Sequence, residues 1–172
     1  MKIVILGAGR IGSSLARNLS NSNYEVCIVD ENKNKLSELE DKLDIMTVEG
    51  SASHLNTLKK SGLDEDTIVL AVTSNDEVNI VACQIAKKAF DVKKTICRFR
   101  DNSYFGKLDI FGEGVIDIPI SPEDEITTHL KELIDHPGAN QIESFANGKV
   151  KLVSVKAKKK GKLVGRELKG IK

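Results

Sequence analysis

The sequence has no tryptophan, five phenylalanines and two tyrosines, so aromatics make up only 4% of its 172 residues. A core built from such a chain must be mostly aliphatic. Hydrophobic residues amount to 40%, enough for one ordinary core and the start of a second unit. An excess of either charge is missing too, with 26 Lys and Arg against 25 Asp and Glu. No global field draws the chain to nucleic acid, which is excluded as a partner, or to a lipid surface, so attraction of a charged ligand must be local. No apolar run approaches the roughly 20 residues that a membrane span needs, and Ile3-Val4-Ile5-Leu6 is too short for a signal peptide. The chain reads as cytoplasmic. Cys27, Cys83 and Cys97 form no CxxC pair, and each lies in an apolar run where a small buried side chain suits the pattern. His54, His129 and His136 are scattered without metal-ligand spacing, so no metal site is expected.

What is present is an alternation of short β-branched runs with helical periods, the pattern of βαβ units on a parallel sheet. Lys2-Ile3-Val4-Ile5-Leu6 is the first strand, and Ile11, Leu15, Ala16 and Leu19 mark one face of the helix after it. Strands follow at 26–29 and 45–48, with a helix between them marked by Leu36, Leu39 and Leu43. A helix near 52–60 ends at Gly62, and the run 67–72 is apolar throughout, as a central strand covered on both faces would be. Ser74-Asn75-Asp76-Glu77 has the capping-box form and starts a helix to about residue 89. A strand at 95–99, a helix around 104–111 and a strand at 115–118 complete the six steps of a doubly wound, Rossmann-type α/β sheet.

Gly7-Ala8-Gly9-Arg10-Ile11-Gly12 is a GxGxxG that directly follows a strand and opens a helix. Gly7 permits the tight turn, Gly9 lets the backbone approach a pyrophosphate, and Gly12 lets helix and strand pack closely. The helix start then offers N–H groups and a positive dipole end to an anion, and Arg10 adds a full charge. Asp30 ends the second strand, where a carboxylate can hydrogen-bond the ribose hydroxyls of an adenosine. With Asp30 and Glu31 there and no adjacent arginine, NAD(H) or an adenine nucleotide is favoured over NADP. Ligands of open α/β sheets lie beyond the strand ends where the order reverses, here between the first and fourth strands. That rule nominates Gly50 and Ser51 after the third strand, Thr73, Ser74 and Asn75 after the fourth, and Arg98 on the fifth.

In order and spacing, the glycine loop, Asp30, Val48-Glu49-Gly50-Ser51-Ala52-Ser53, Ala71-Val72-Thr73-Ser74-Asn75-Asp76-Glu77-Val78-Asn79 and Ile96-Cys97-Arg98-Phe99-Arg100-Asp101 resemble the TrkA-type RCK domain. The resemblance implies a cytosolic regulatory subunit of Trk or Ktr potassium uptake systems, or a gating domain of a potassium channel, binding NAD(H), ATP, ADP or AMP. It assigns the glycine loop and Arg10 to phosphates, Asp30 to the ribose, Ser51 and Ala52 to the adenine side, and Thr73, Asn75 and Arg98 to the rim. Ser51 stands where the family usually has an acid, which leaves the nucleotide preference open.

Ser121-Pro122-Glu123-Asp124 reads as an N-cap, a proline at the first helical position and acids in the first turn. Ile126, Leu130, Leu133 and Ile134 then form a stripe for which a completed sheet has little room. By resemblance, this helix, 122–135, crosses to a partner subunit, and a homodimer or higher homo-oligomer through helices 75–89, 104–111 and 122–134 is expected. The first domain is expected to span 1–136. His136-Pro137-Gly138 ends that helix, Asn147-Gly148 signals a hairpin, and Gly161-Lys162-Leu163-Val164-Gly165-Arg166-Glu167-Leu168 resembles the opening of a C-terminal RCK subdomain that 137–172 begins but does not close. The lysine-rich run 156–162 reads as a solvated loop, with contact to acidic lipid or a transporter surface as the alternative. The expected function is regulatory nucleotide binding that controls a membrane-embedded potassium transporter or channel subunit, not catalysis. An NAD-dependent oxidoreductase is the alternative, but the stretch after His136 is short for a substrate domain. A nucleotide-bound scaffold without switching is the third reading.

Overall fold

The structure, a computed structural model, describes residues 1–22, 24–146, 149–157 and 164. Asn147-Gly148, most of the lysine-rich run and the 161–168 segment apart from Val164 lie outside the described residues. Two compact units result, Met1–Ser121 and Pro122–Lys172.

In the first unit, β1 (Lys2–Leu6), β2 (Glu25–Asp30), β3 (Met46–Glu49), β4 (Ile68–Ala71), β5 (Lys94–Arg98) and β6 (Ile118–Ile120) form one six-stranded sheet. Every pairing is parallel, and the order is β3-β2-β1-β4-β5-β6. The order reverses between β1 and β4, so the carboxyl ends of these two strands open a crevice, the arrangement that doubly wound sheets use for ligands. Helices α1 (Arg10–Ser20), α2 (Lys33–Glu40), α3 (Leu55–Lys60) and α4 (Asp76–Phe90) connect the strands.

The strand period of two sorts the core into two layers. Val4, Leu6, Cys27, Val29, Val69 and Cys97 face Leu58 of α3 and Ile80, Cys83 and Ala86 of α4. Ile3, Ile5, Val26, Ile28 and Leu70 face Ala16 of α1 and Leu36 and Leu39 of α2. Burial pushes the Cys27 thiol up to about 11. A hydrogen bond to Cys97 and burial raise that of Cys83, as expected of cysteines used as small apolar side chains.

Several local expectations shift. The α4 cap is Asn75, whose side chain accepts the Val78 N–H at 2.8 Å, and not Ser74. Helix α3 begins at Leu55 instead of near Ala52, because 51–54 forms a turn in which the His54 N–H donates to the Ser51 carbonyl at 3.1 Å. The last strand of the sheet is Ile118–Ile120 instead of 115–118, since Val115 and Ile116 are spent as core residues before it.

The segment 104–111 is no helix. It forms two short 3₁₀ turns, Asn102–Tyr104 and Leu108–Phe111, separated at Gly106, whose φ of 78° a helix cannot contain. The segment docks through aromatic contacts instead. Fully buried Phe99 meets Tyr104, Phe105 and Phe111 at ring-centroid distances of 5.4, 5.7 and 6.4 Å, contacts worth about 0.5–1.5 kcal/mol each beyond area burial.

The second unit contains α5 (Pro122–Asp135) and an antiparallel hairpin of β7 (Ala139–Phe145) and β8 (Val150–Val155). The first unit ends at Ser121, and α5 packs with the hairpin in the second. The Glu132 carboxylate accepts the Ser144 hydroxyl at 2.6 Å and pairs with Lys151 at 3.3 Å, which ties α5 to the hairpin.

Candidate functional site

The glycine loop leaves β1 and enters α1 with each glycine in a different situation. At Gly7, φ is 106° and a Cβ would lie 3.0 Å from the Thr73 backbone. At Gly12, a Cβ would lie 1.8 Å from the Gly7 carbonyl oxygen, which no relaxation of a side chain could relieve. Gly9 is exposed, and a Cβ there would meet nothing within 4 Å. The chain itself does not demand glycine at position 9. The missing Cβ instead leaves open space over the helix start. Gly9 also caps α1 without a side-chain hydrogen bond, so the first-turn N–H groups remain for water or an anion. Arg10 is the first residue of α1 and is exposed, and the half-buried Ile11 packs against the core.

Asp30 stands at the end of β2, and its carboxylate takes part in building the loop. Its Oδ2 accepts the Ala8 N–H at 2.6 Å, and its Oδ1 accepts the Asn32 N–H at 2.8 Å. Two of the roughly four acceptor positions of a carboxylate are thereby used, which leaves capacity for hydroxyl donors. Glu31 beside it is exposed.

After β3, Gly50 donates its N–H to the Asp30 carbonyl at 3.0 Å, and its φ is 150°. A Cβ at this position would lie 2.6 Å from the Thr57 hydroxyl. The Ser51 hydroxyl is paired with that of Ser53 at 3.2 Å. Ala52 is buried in the core, so of these two positions only Ser51 keeps its side chain on the rim.

On the other side of the crevice, Thr73, Ser74 and Asn75 follow β4, and Arg98 ends β5. The Arg98 guanidinium donates to the Thr73 carbonyl at 3.4 Å, so it spans the two strand ends. Two residues that sequence reasoning left out of the site organise this side. Asn79 is fully buried, and its Oδ1 accepts the Thr73 N–H at 3.0 Å and the Thr73 hydroxyl at 2.7 Å. Its Nδ2 donates to the Arg98 carbonyl at 3.0 Å. Asp76 accepts the backbone N–H groups of Arg100 and Asp101, each at 2.9 Å to Oδ2. One turn of α4 therefore clamps the ends of β4 and β5 together. A polar residue at each of two helical positions three apart, 76 and 79, beside an apolar face was the available signal.

Arranged this way, the crevice offers helix-start amides and an arginine at one point, a carboxylate with spare acceptor capacity at another, and hydroxyls on the rim. That set can bind a polar ligand with anionic and hydroxyl groups. Among the described residues no group of three or more His, Cys, Asp or Glu is placed to hold a metal ion, and no helix is long and apolar enough to cross a membrane.

The family model of the TrkA-N domain matches residues 3–122. The chain belongs to the TrkA-N domain family. Over 170 residues it is 44% identical to the Trk system potassium uptake protein TrkA of Halomonas elongata, a match that covers 98% of this chain and 37% of that protein. The chain thus spans well under half the length of this curated relative. Among solved structures, the TrkA-N domain of the inner membrane protein ybaL from Escherichia coli superposes with a TM-score of 0.66 at 18% identity, covering 77% of this chain and 96% of that one. The GsuK channel bound to NAD superposes with a TM-score of 0.60 at 19% identity, covering 75% of this chain and 22% of that one. At these identities the structural likeness establishes the Rossmann-type TrkA-N fold.

Proposed function

We propose that the chain is the nucleotide-binding part of a regulatory subunit that controls a membrane-embedded potassium transporter or channel, and that it binds NAD(H) or an adenine nucleotide at the β1–α1 turn. The observation that carries this reading is the loop itself: Gly7 and Gly12 are demanded by packing, while Gly9 is demanded by nothing in the chain and lies open over uncapped helix-start amides. A backbone that approaches a pyrophosphate has this form. The Trk system name of the 44% identical relative and the NAD bound by GsuK support the same reading.

In this reading Gly7, Ala8, Gly9, Arg10, Ile11 and Gly12 form the phosphate cradle. Asp30 takes the ribose hydroxyls with Glu31 beside it, Gly50, Ser51 and Ala52 form the adenine-side wall, and Thr73, Ser74, Asn75 and Arg98 close the rim. The site binds and does not catalyse. Its Asp30 carboxylate and Arg98 guanidinium are already tied to backbone groups, which suits a fixed shape better than proton transfer. The protein acts in the cytoplasm, held at the membrane by its partner, with 1–136 as the expected binding domain and 137–172 opening a further subdomain. Self-association rests on α5, where Ile126, Leu130 and Ile134 are 61%, 54% and 76% exposed along one stripe. The α4 contribution is smaller than the sequence suggests, because Ile80, Cys83 and Ala86 are buried in the core of the first unit.

Asp30→Asn tests the assignment, since it removes the charge but keeps an acceptor for the Ala8 N–H. Affinity for the bound nucleotide should fall by about tenfold or more, because a hydrogen bond to a charged group is worth about 1.5–3 kcal/mol. A variant that melts like the wild type and binds nucleotide equally well would contradict it.

A further inference from the structure

Asn79 lies on the face of α4 that meets the sheet, in helical line with Cys83 and Ala86, and all three are fully buried. The other two are small and apolar. A buried amide is costly unless its donors and acceptor find partners, a cost that an apolar side chain in the same place avoids. All the hydrogen bonds of this amide go to the two strand ends on one side of the crevice. Its Oδ1 accepts the Thr73 N–H at 3.0 Å and the Thr73 hydroxyl at 2.7 Å, and its Nδ2 donates to the carbonyls of Arg98 at 3.0 Å and Thr73 at 3.4 Å.

Two features of Thr73 tie this arrangement to the crevice. Thr73 stands directly against the glycine loop, since a Cβ on Gly7 would lie 3.0 Å from its backbone. Its hydroxyl is also committed within the chain: the acceptors within reach of its single proton are Asn79 Oδ1 and, at 3.0 Å, the Asn75 carbonyl, and it accepts the Asn75 N–H at 3.3 Å. One lone pair remains, so this hydroxyl can only accept from a ligand. The Thr73 N–H, a donor that could otherwise serve an anion, is consumed by Asn79. Phosphates therefore find donors at the glycine loop, whereas Thr73 suits a group that donates.

Doubly wound sheets hold a dinucleotide across the crevice, one half on each side of the point where strand order reverses. Asp30 serves the β1–β2 side, and Thr73 and Arg98 stand on the β4–β5 side. We propose that Asn79 is a positioning residue for the second half of a dinucleotide. By fixing Thr73 and the Arg98 backbone it preforms the rim for the hydroxyl and amide donors that such a ligand carries beyond its pyrophosphate, an inference that rests on the nucleotide-binding reading above. Because the rim is ordered by folding, the ligand does not have to order it on binding.

Calorimetric titration of the full chain with NADH and with AMP, which lacks the second half, tests this. Asn79→Asp keeps an acceptor for Thr73 but sets an oxygen against the Arg98 carbonyl. Asn79→Ser is neutral and too short to span both strand ends, and it serves should the buried charge impair folding. Thr73→Val removes the oriented hydroxyl without entering the core. The wild type should bind NADH more tightly than AMP, and each folded variant should lose about tenfold or more for NADH while staying within about twofold for AMP. Equal proportional losses for the two ligands would make Asn79 a purely structural residue and overturn the inference. Wild-type NADH affinity in the Asn79 variants, or a wild type that binds AMP as tightly as NADH, would overturn it too. In each of those cases a nucleotide still binds, so the crevice assignment stands. A wild type that binds neither ligand would overturn that assignment and this inference together.

Discussion

Gly9 and Gly12 belong to one loop, yet different parts of the physics require them. A methyl group at Gly12 would sit 1.8 Å from the Gly7 carbonyl oxygen, so Gly12→Ala should cost about 3 kcal/mol or more, read as a large drop in melting temperature. A methyl group at Gly9 meets nothing within 4 Å, so Gly9→Ala should fold with stability within about 1 kcal/mol of the wild type. It should nonetheless weaken nucleotide binding by about tenfold, or about 1.4 kcal/mol. Equal melting of the two variants would contradict the packing argument, and undiminished binding by Gly9→Ala would contradict the close approach of a phosphate. The glycines and Asp30 were legible in the sequence because their work is local: a tight turn after a strand, and a carboxylate at the next strand end. Asn79 and Asp76 were not singled out, because their partners at Thr73, Arg98, Arg100 and Asp101 come together only once α4 lies beside β5.

At the scale of elements, the far end of the sheet is fastened by one carboxylate. Asp117, just before β6, accepts the Thr95 N–H at 2.7 Å and pairs with Lys87 of α4 at 3.0 Å. Burial pushes its carboxyl up, but the Thr95 N–H and the Lys87 ammonium outweigh that, and its pKa lies below the ordinary carboxylate value. A folded-state pKa below the unfolded one means stability that is fully present above the ordinary value and is lost as pH falls through the folded value. Asp117→Asn should therefore flatten this part of the acid limb in melting measured at stepped pH, and an acid limb identical to that of the wild type would contradict the role. Strand and helix alternation was readable from period and β-branching, as β1 and α1 illustrate. The 104–111 segment was misread because Tyr104, Leu108 and Phe111 have helical spacing, while Gly106 at φ 78° breaks the helix and the aromatic cluster around Phe99 supplies the docking that a helix would have supplied.

For the whole molecule, a regulatory role needs a nucleotide-dependent change that a partner can read, and self-association provides one route. If two copies share an interface, a nucleotide that favours one arrangement shifts both, with a coupling of about 1–3 kcal/mol sufficing. Ile126→Asp with Leu130→Asp places two charges on the exposed α5 stripe, outside the unit that holds the crevice. Sedimentation should show an assembled wild type and a monomeric double variant that still binds nucleotide, and a wild type that is monomeric at micromolar concentration would contradict self-association through α5. The central claim, that the β1–α1 crevice is a nucleotide site, is tested most directly by calorimetric titration of the purified chain with NADH, NAD, ATP, ADP and NADPH. The expected result is saturable binding of NAD(H) or an adenine nucleotide, with NADPH weaker because Asp30 and Glu31 meet its additional phosphate. Absence of saturable binding by every one of these ligands would contradict the claim.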